Sequence, residues 1–192
     1  IAKKTSQLAA KPHTYLQWAN ECCRSASLPE IQTDLSYWKQ LAQTRQAALT
    51  VDFQVKETVQ VKENTVGSTQ SIVTTLLPDL TQALLQEVPS AYNTQITEVL
   101  LTALAQTLSE WTGHTTTLID LESHGRFSKD LDLSQLDLSR SVGWFTTLYP
   151  VALKFESAIS IADNLKAMKS LLHTIPHQGT SYGFLRYISQ AK

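Results

Sequence analysis

Apolar residues recur at helical spacing in some stretches of the chain and form β-like runs in others, and their order predicts helices alternating with strands. Between residues 14 and 45, Tyr15, Trp18, Ala19 and Cys22, then Leu35, Trp38 and Leu41, follow a helical period. Ser27-Leu28-Pro29 interrupts them, predicting two helices with Pro29 in the first turn of the second, where a missing N–H costs nothing. Residues 46 to 67 are mostly polar, but Val51, Phe53 and Val55 alternate, as do Val59 and Val61, so short strands fit within a connecting segment. The β-branched run from Ser68 to Leu77 ends at Pro78, which predicts a strand feeding a helix with Leu80, Leu84, Leu85 and Val88 on one face. Ile96, Leu100, Leu101, Leu104, Leu108 and Trp111 predict a long helix, and Gly113 stands where a left-handed cap belongs. Thr115 to Leu121 reads as a buried strand and Trp144 to Phe155 as another, despite Pro150. Ser160 and Asp163 predict a capping box for a last helix using Ile161, Leu165, Met168, Leu171 and Leu172. The fold class is therefore α/β, a sheet packed against helices.

Composition narrows the function. The 192 residues suit one domain of ordinary size, and with 42% hydrophobic and 17% charged residues the chain is globular rather than disordered. A net charge of -1 without a Lys/Arg cluster argues against nucleic acid. No apolar run reaches the ~18 residues of a membrane span, so a cytoplasmic location without membrane contact is expected. The only cysteines are the neighbours Cys22 and Cys23, read as thiols on a helix. The chain opens on Ile1 and its single methionine is Met168, which predicts excision from a longer polypeptide.

Candidate chemistry gathers late in the chain. Gly125, Gly143, Gly179 and Gly183 are four of only six glycines, and they mark turns of special geometry. Asp120-Leu121-Glu122-Ser123-His124-Gly125-Arg126 sets ionisable groups at the end of an apolar strand, a favoured position for sites on α/β scaffolds. Two readings stand for Glu122: a general acid/base, or, with Asp120, a partner that pairs with Arg126 to tie down the loop. His124 is either a proton carrier or a histidine satisfied by backbone groups. His173 and His177 have the spacing of a helical metal site, but Pro176 lies between them, and no metal is expected. Gly143 and Gly183 are assigned to backbone geometry rather than ligand contact.

Three ordered motifs then become recognisable. Glu122-Ser123-His124-Gly125-Arg126, the run from Arg140 to Pro150 (Arg-Ser-Val-Gly-Trp-Phe-Thr-Thr-Leu-Tyr-Pro), and Pro176-His177-Gln178-Gly179-Thr180-Ser181-Tyr182-Gly183 resemble motifs of the epimerization domains of non-ribosomal peptide synthetases, within the condensation-domain superfamily. The likeness extends upstream through Leu85-Gln86-Glu87-Val88-Pro89 and the helix from Ile96 to Trp111, covering most of residues 14 to 190. It implies a chloramphenicol-acetyltransferase-like sandwich of two lobes, with residues 1–67 as a helical and connecting segment leading into a C-terminal lobe over 68–192. It also implies an amino-acid epimerase, an isomerase of secondary-metabolite and antibiotic biosynthesis, inverting the α-carbon of an aminoacyl or peptidyl thioester. That substrate is carried on the phosphopantetheine of a peptidyl carrier domain, with no cofactor bound directly. Glu122 matches the family's acid/base, supported by His124, Gly125, Arg126, Gly143, Trp144, Tyr149 and Tyr182. Of these, Trp144, Tyr149 and Tyr182 either line the tunnel for the pantetheine arm or belong to the core. Trp144 is further expected to pack beside the strand bearing Glu122 and fix where its carboxylate points.

The chain departs from the family pattern at Ser123 and Ser181, where the family has glycine, and at Phe127, where it has a second glutamate. Leu131-Asp132-Leu133-Ser134 repeats as Leu136-Asp137-Leu138-Ser139, as in a lengthened loop. No His-His-x-x-x-Asp occurs in these residues, although the family takes its opposing catalytic histidine from that motif in the N-terminal lobe. The missing lobe is thus an implied partner, and the isolated fragment is expected to be inactive. Two rivals remain: a condensation domain forming amide bonds between carrier-bound substrates, which usually has an asparagine shortly after the phenylalanine where Thr146 and Thr147 follow Phe145, and a non-catalytic carrier-docking lobe.

Overall fold

A computed structural model describes residues 13–44, 49, 65–126 and 136–189. Helix α1 (Tyr15–Ser25) begins at a capping box: Gln17 N–H donates to the Thr14 hydroxyl at 3.2 Å, and Thr14 N–H donates to the Gln17 side chain at 2.7 Å. Pro29 opens α2 (Pro29–Thr33) as predicted, and Asp34 separates it from α3 (Leu35–Ala42). The alternating valines between 51 and 61 lie outside the described residues.

The predicted strand from Ser68 to Leu77 is not formed. After a 3₁₀ turn at Val66–Ser68 the chain has no regular secondary structure and is exposed, Ile72 completely so, and a β-branched run becomes a strand only when a second strand satisfies its backbone. Pro78 does open a helix: α4 (Pro78–Gln82), a π turn (Ala83–Glu87) and α5 (Val88–Tyr92) follow one another without a break. The apolar face predicted there is not buried, since Leu80 and Leu85 stay more than half exposed. Helix α6 (Ile96–Thr112) ends at Gly113, whose φ of 73° provides the expected left-handed cap.

Strands β1 (Thr116–Ser123) and β2 (Thr147–Lys154) form a two-stranded sheet. Phe155 N–H donates to the Thr115 carbonyl at one end, and Gly125 abuts Phe145 at the other, so the strands run antiparallel with Glu122 opposite Leu148. β1 is half-buried rather than buried: Asp120 and Glu122 face solvent, while β2 sends Tyr149, Val151 and Leu153 inward. Helix α7 (Ile161–His173) starts where the Ser160 hydroxyl accepts from Asp163 N–H at 3.1 Å and donates to its carboxylate at 2.8 Å. Pro176–Gly179 then form a 3₁₀ turn leading into the short α8 (Thr180–Gly183) and a π turn at Phe184–Ile188.

The chain divides into two units, one of residues 1–45, 118–152 and 170–192, the other of 46–117 and 153–169. All three motifs lie in the first. In the second, Asn164 ties the start of α7 to the end of β2, accepting from Glu156 N–H and donating to the Glu156 carbonyl, both at 2.9 Å.

Candidate active site

Glu122 is the penultimate residue of β1, and strand alternation turns its side chain to solvent. The expected pairing with Arg126 does not occur. Arg126 Nη1 donates to the carbonyl oxygens of Leu138 at 2.7 Å and Ser141 at 3.0 Å, and its guanidinium lies over the Phe145 ring, 4.1 Å from the centroid. A planar cation with several donors suits two carbonyls and an aromatic face at once. The arginine of the first motif therefore holds the second, and the Glu122 carboxylate has no hydrogen-bond or ionic partner among the described residues. His124 accepts from Arg126 N–H through Nδ1 at 3.1 Å, which leaves the ring proton on Nε2.

Gly125 makes the turn possible. Its φ is +62°, and a Cβ there would stand 1.7 Å from the Phe145 carbonyl oxygen, so any side chain collides with backbone. Gly143 is required for a different reason: its Cβ would lie 2.4 Å from the Tyr15 ring, though its φ is not positive. Gly183, also assigned to backbone geometry, has an ordinary helical φ of −61° and open space around it, so no backbone constraint explains it.

Trp144 is 76% exposed, which overturns its expected packing beside the strand of Glu122. The inward ring of the second motif is its neighbour Phe145, set edge-on to Tyr15 and Trp18 at centroid distances of 5.3 and 4.9 Å. With Gly143 pressed against Tyr15, the chain alternation turns Phe145 inward and Trp144 outward. Of the three aromatics considered for a tunnel lining, Trp144 is the open one. Tyr149 is buried against Gly179, and that burial pushes its phenol up from the ordinary value. Tyr182 stands edge-on to Trp38 at 5.1 Å.

The third motif is a strained turn with two anchors. His177, Gln178 and Gly179 are all left-handed, with φ of 45°, 52° and 86°. His177 Nδ1 donates to the Asp34 carboxylate at 2.7 Å, and Trp38 Nε1 donates to the Ser181 hydroxyl at 3.0 Å. The departure at Ser181 is thus structural: its side chain is fully buried and is the acceptor for a buried indole. Sequence reasoning missed both anchors, and also missed His13, Tyr15 and Trp18 as supports of the second motif. Among the described residues, no three His, Cys, Asp or Glu side chains gather as a metal site, and no helix is long and apolar enough to cross a membrane.

The described residues thus form a mixed helix-and-strand domain in which an exposed carboxylate stands at the end of β1, beside a turn held by Gly125 and Arg126. Residues 2–192 match the condensation domain family, and the chain belongs to it. It is 38% identical over 187 residues to one of the linear gramicidin synthase proteins of Brevibacillus parabrevis, covering 97% of this chain and 2% of that relative. It is 33% identical over 198 residues to one of the plipastatin synthase proteins of Bacillus subtilis (strain 168), covering 100% of this chain and 7% of that relative. The chain therefore spans a small fraction of the length of these relatives. The crystal structure of the epimerization domain from the third module of tyrocidine synthetase B superposes with a TM-score of 0.83 at 30% identity, over 97% of this chain and 40% of that one. The condensation domain of a monacolin K polyketide synthase shares the fold, with a TM-score of 0.68 at 17% identity over 93% of this chain and 41% of that one.

Proposed function

We propose that the chain is the C-terminal part of a domain that epimerises the α-carbon of an aminoacyl or peptidyl thioester during non-ribosomal peptide synthesis, with Glu122 as acid/base. The observation that carries this reading is the free Glu122 carboxylate beside a turn that Gly125 and Arg126 hold rigid. The 30% identity to a tyrocidine epimerization domain, against 17% to the monacolin K condensation domain, supports epimerization over amide formation.

The chemistry follows from the substrate. Removal of the α-proton by Glu122 leaves the C–H electron pair delocalised onto the thioester carbonyl as an enolate, and a proton delivered to the opposite face inverts the centre. The resemblance to epimerization domains implies that this second proton comes from the histidine of a His-His-x-x-x-Asp motif in the other lobe. The thioester is presented on the phosphopantetheine arm of a peptidyl carrier domain, and exposed Val142 and Trp144 offer apolar surface to it in the second motif.

An assay on the full-length protein with carrier-bound L-aminoacyl thioester separates the readings. Stereoinversion supports epimerization, amide-bond formation replaces it with condensation, and carrier binding without turnover reduces the chain to a docking lobe.

A further inference from the structure

We propose that His13, which belongs to none of the three motifs, is a positioning residue for Glu122, acting through Asp137, Leu138 and Ser141 where the chain enters the second motif. The inference rests on the reading of Glu122 as the acid/base. Asp137 N–H donates to His13 Nδ1 at 3.0 Å, and the Ser141 hydroxyl donates to the His13 carbonyl oxygen. Arg126 holds the same residues through the Leu138 and Ser141 carbonyls, and Leu138 and Ser141 are buried.

His13 is a firm anchor because it directly precedes Thr14, whose capping box fixes the start of α1. One turn of that helix then carries the remaining contacts. Tyr15 lies against Gly143, Tyr15 and Trp18 flank Phe145, and the Phe145 carbonyl abuts Gly125, three residues beyond Glu122. A contiguous path therefore runs from the start of α1, through the second motif, to the strand end bearing the carboxylate. A single hydrogen bond is a small part of a domain's stability. A shift of ~1 Å in a catalytic group, by contrast, costs about 10²-fold in rate, so loss of the His13 acceptor is read in turnover before it is read in folding.

The acceptor at Nδ1 suggests the test. Asparagine offers Oδ1 near the same point, whereas leucine keeps the bulk and offers no acceptor. In the full-length protein, His13→Leu should lower kcat for inversion by about tenfold or more with KM within about twofold, and His13→Asn should restore kcat to within about threefold. Exchange of the Asp137 amide should speed up in the leucine variant and stay slow in the asparagine one. Ser141→Ala, which removes the other side-chain contact to His13, should repeat the kcat loss and carries the test if the leucine variant does not fold. Unchanged kcat in the leucine and alanine variants, equal impairment by leucine and asparagine, or an effect confined to KM overturns the proposal. Glu122→Gln run in parallel keeps the two ideas apart: if it retains inversion, the reading of Glu122 fails, while the Asp137 exchange result still decides whether His13 holds Asp137.

Discussion

The carbonyl oxygen of Phe145 occupies the place where a side chain on Gly125 would begin, 1.7 Å from the ideal Cβ position. This contact joins the end of β1 to the segment entering β2, and it involves backbone that cannot swing aside. Gly125→Ala must both clash there and adopt a left-handed conformation, a combined cost of about 2 kcal/mol or more. Chemical denaturation of the purified variant should show that loss, and an alanine variant as stable as the parent would mean that the turn relaxes freely.

Ser181 offers a sharper comparison, because the residue expected from the family resemblance at this position is glycine. Ser181→Ala leaves the buried Trp38 indole N–H without its acceptor, a loss of about 1–3 kcal/mol. Ser181→Gly removes the same acceptor and adds the conformational cost of a glycine within α8, so it should be at least as destabilising as alanine. Denaturation midpoints of the two variants check this, and a neutral alanine variant contradicts the assigned role.

What was legible in the sequence was local. Pro29 and Pro78 each open a helix, Gly113 closes one, and Ser160 with Asp163 caps another, because each acts within a turn of its own position. The misread parts depend on distant partners. The run from Ser68 to Leu77 has strand composition, but composition says nothing of a neighbour to pair with. The interval between Trp144 and Phe145 shows the same limit: alternation indicates that one ring points inward, and only Tyr15 against Gly143 decides which. Asp34 to His177 and Trp38 to Ser181 each span 143 residues, so spacing along the chain carried no trace of either bond.

The neighbouring cysteines should differ in reactivity. Burial, assisted by Cys23, pushes the Cys22 thiol up to about 12, whereas Cys23 is exposed. Alkylation of the native protein near pH 8, where thiolates are the reacting species, should modify Cys23 and spare Cys22, and unfolding should release both. Equal labelling of the two by peptide mapping would contradict the burial of Cys22.

Asp163 makes the start of α7 sensitive to acid. The Ser160 hydroxyl, and after it Lys166, hold its carboxyl below the ordinary carboxylate value. A native-state pKa below the unfolded one gives stability that is present above the unfolded value, about 4, and is lost as pH falls through the native one. Asp163→Asn should therefore lower the melting temperature at about pH 7, with the gap from the parent closing towards about pH 3. A gap that persists at low pH would assign the effect to the change of side chain rather than to charge.

The central claim is that Glu122 moves the α-proton, and solvent-deuterium incorporation tests it most directly. The full-length protein, loaded with L-aminoacyl thioester on its carrier in deuterium oxide, should place deuterium at the α-carbon and yield the inverted isomer. Glu122→Gln should lower that incorporation by at least the ~10²-fold typical of acid/base catalysis while carrier binding persists. Incorporation by the glutamine variant within about tenfold of the parent would contradict the account.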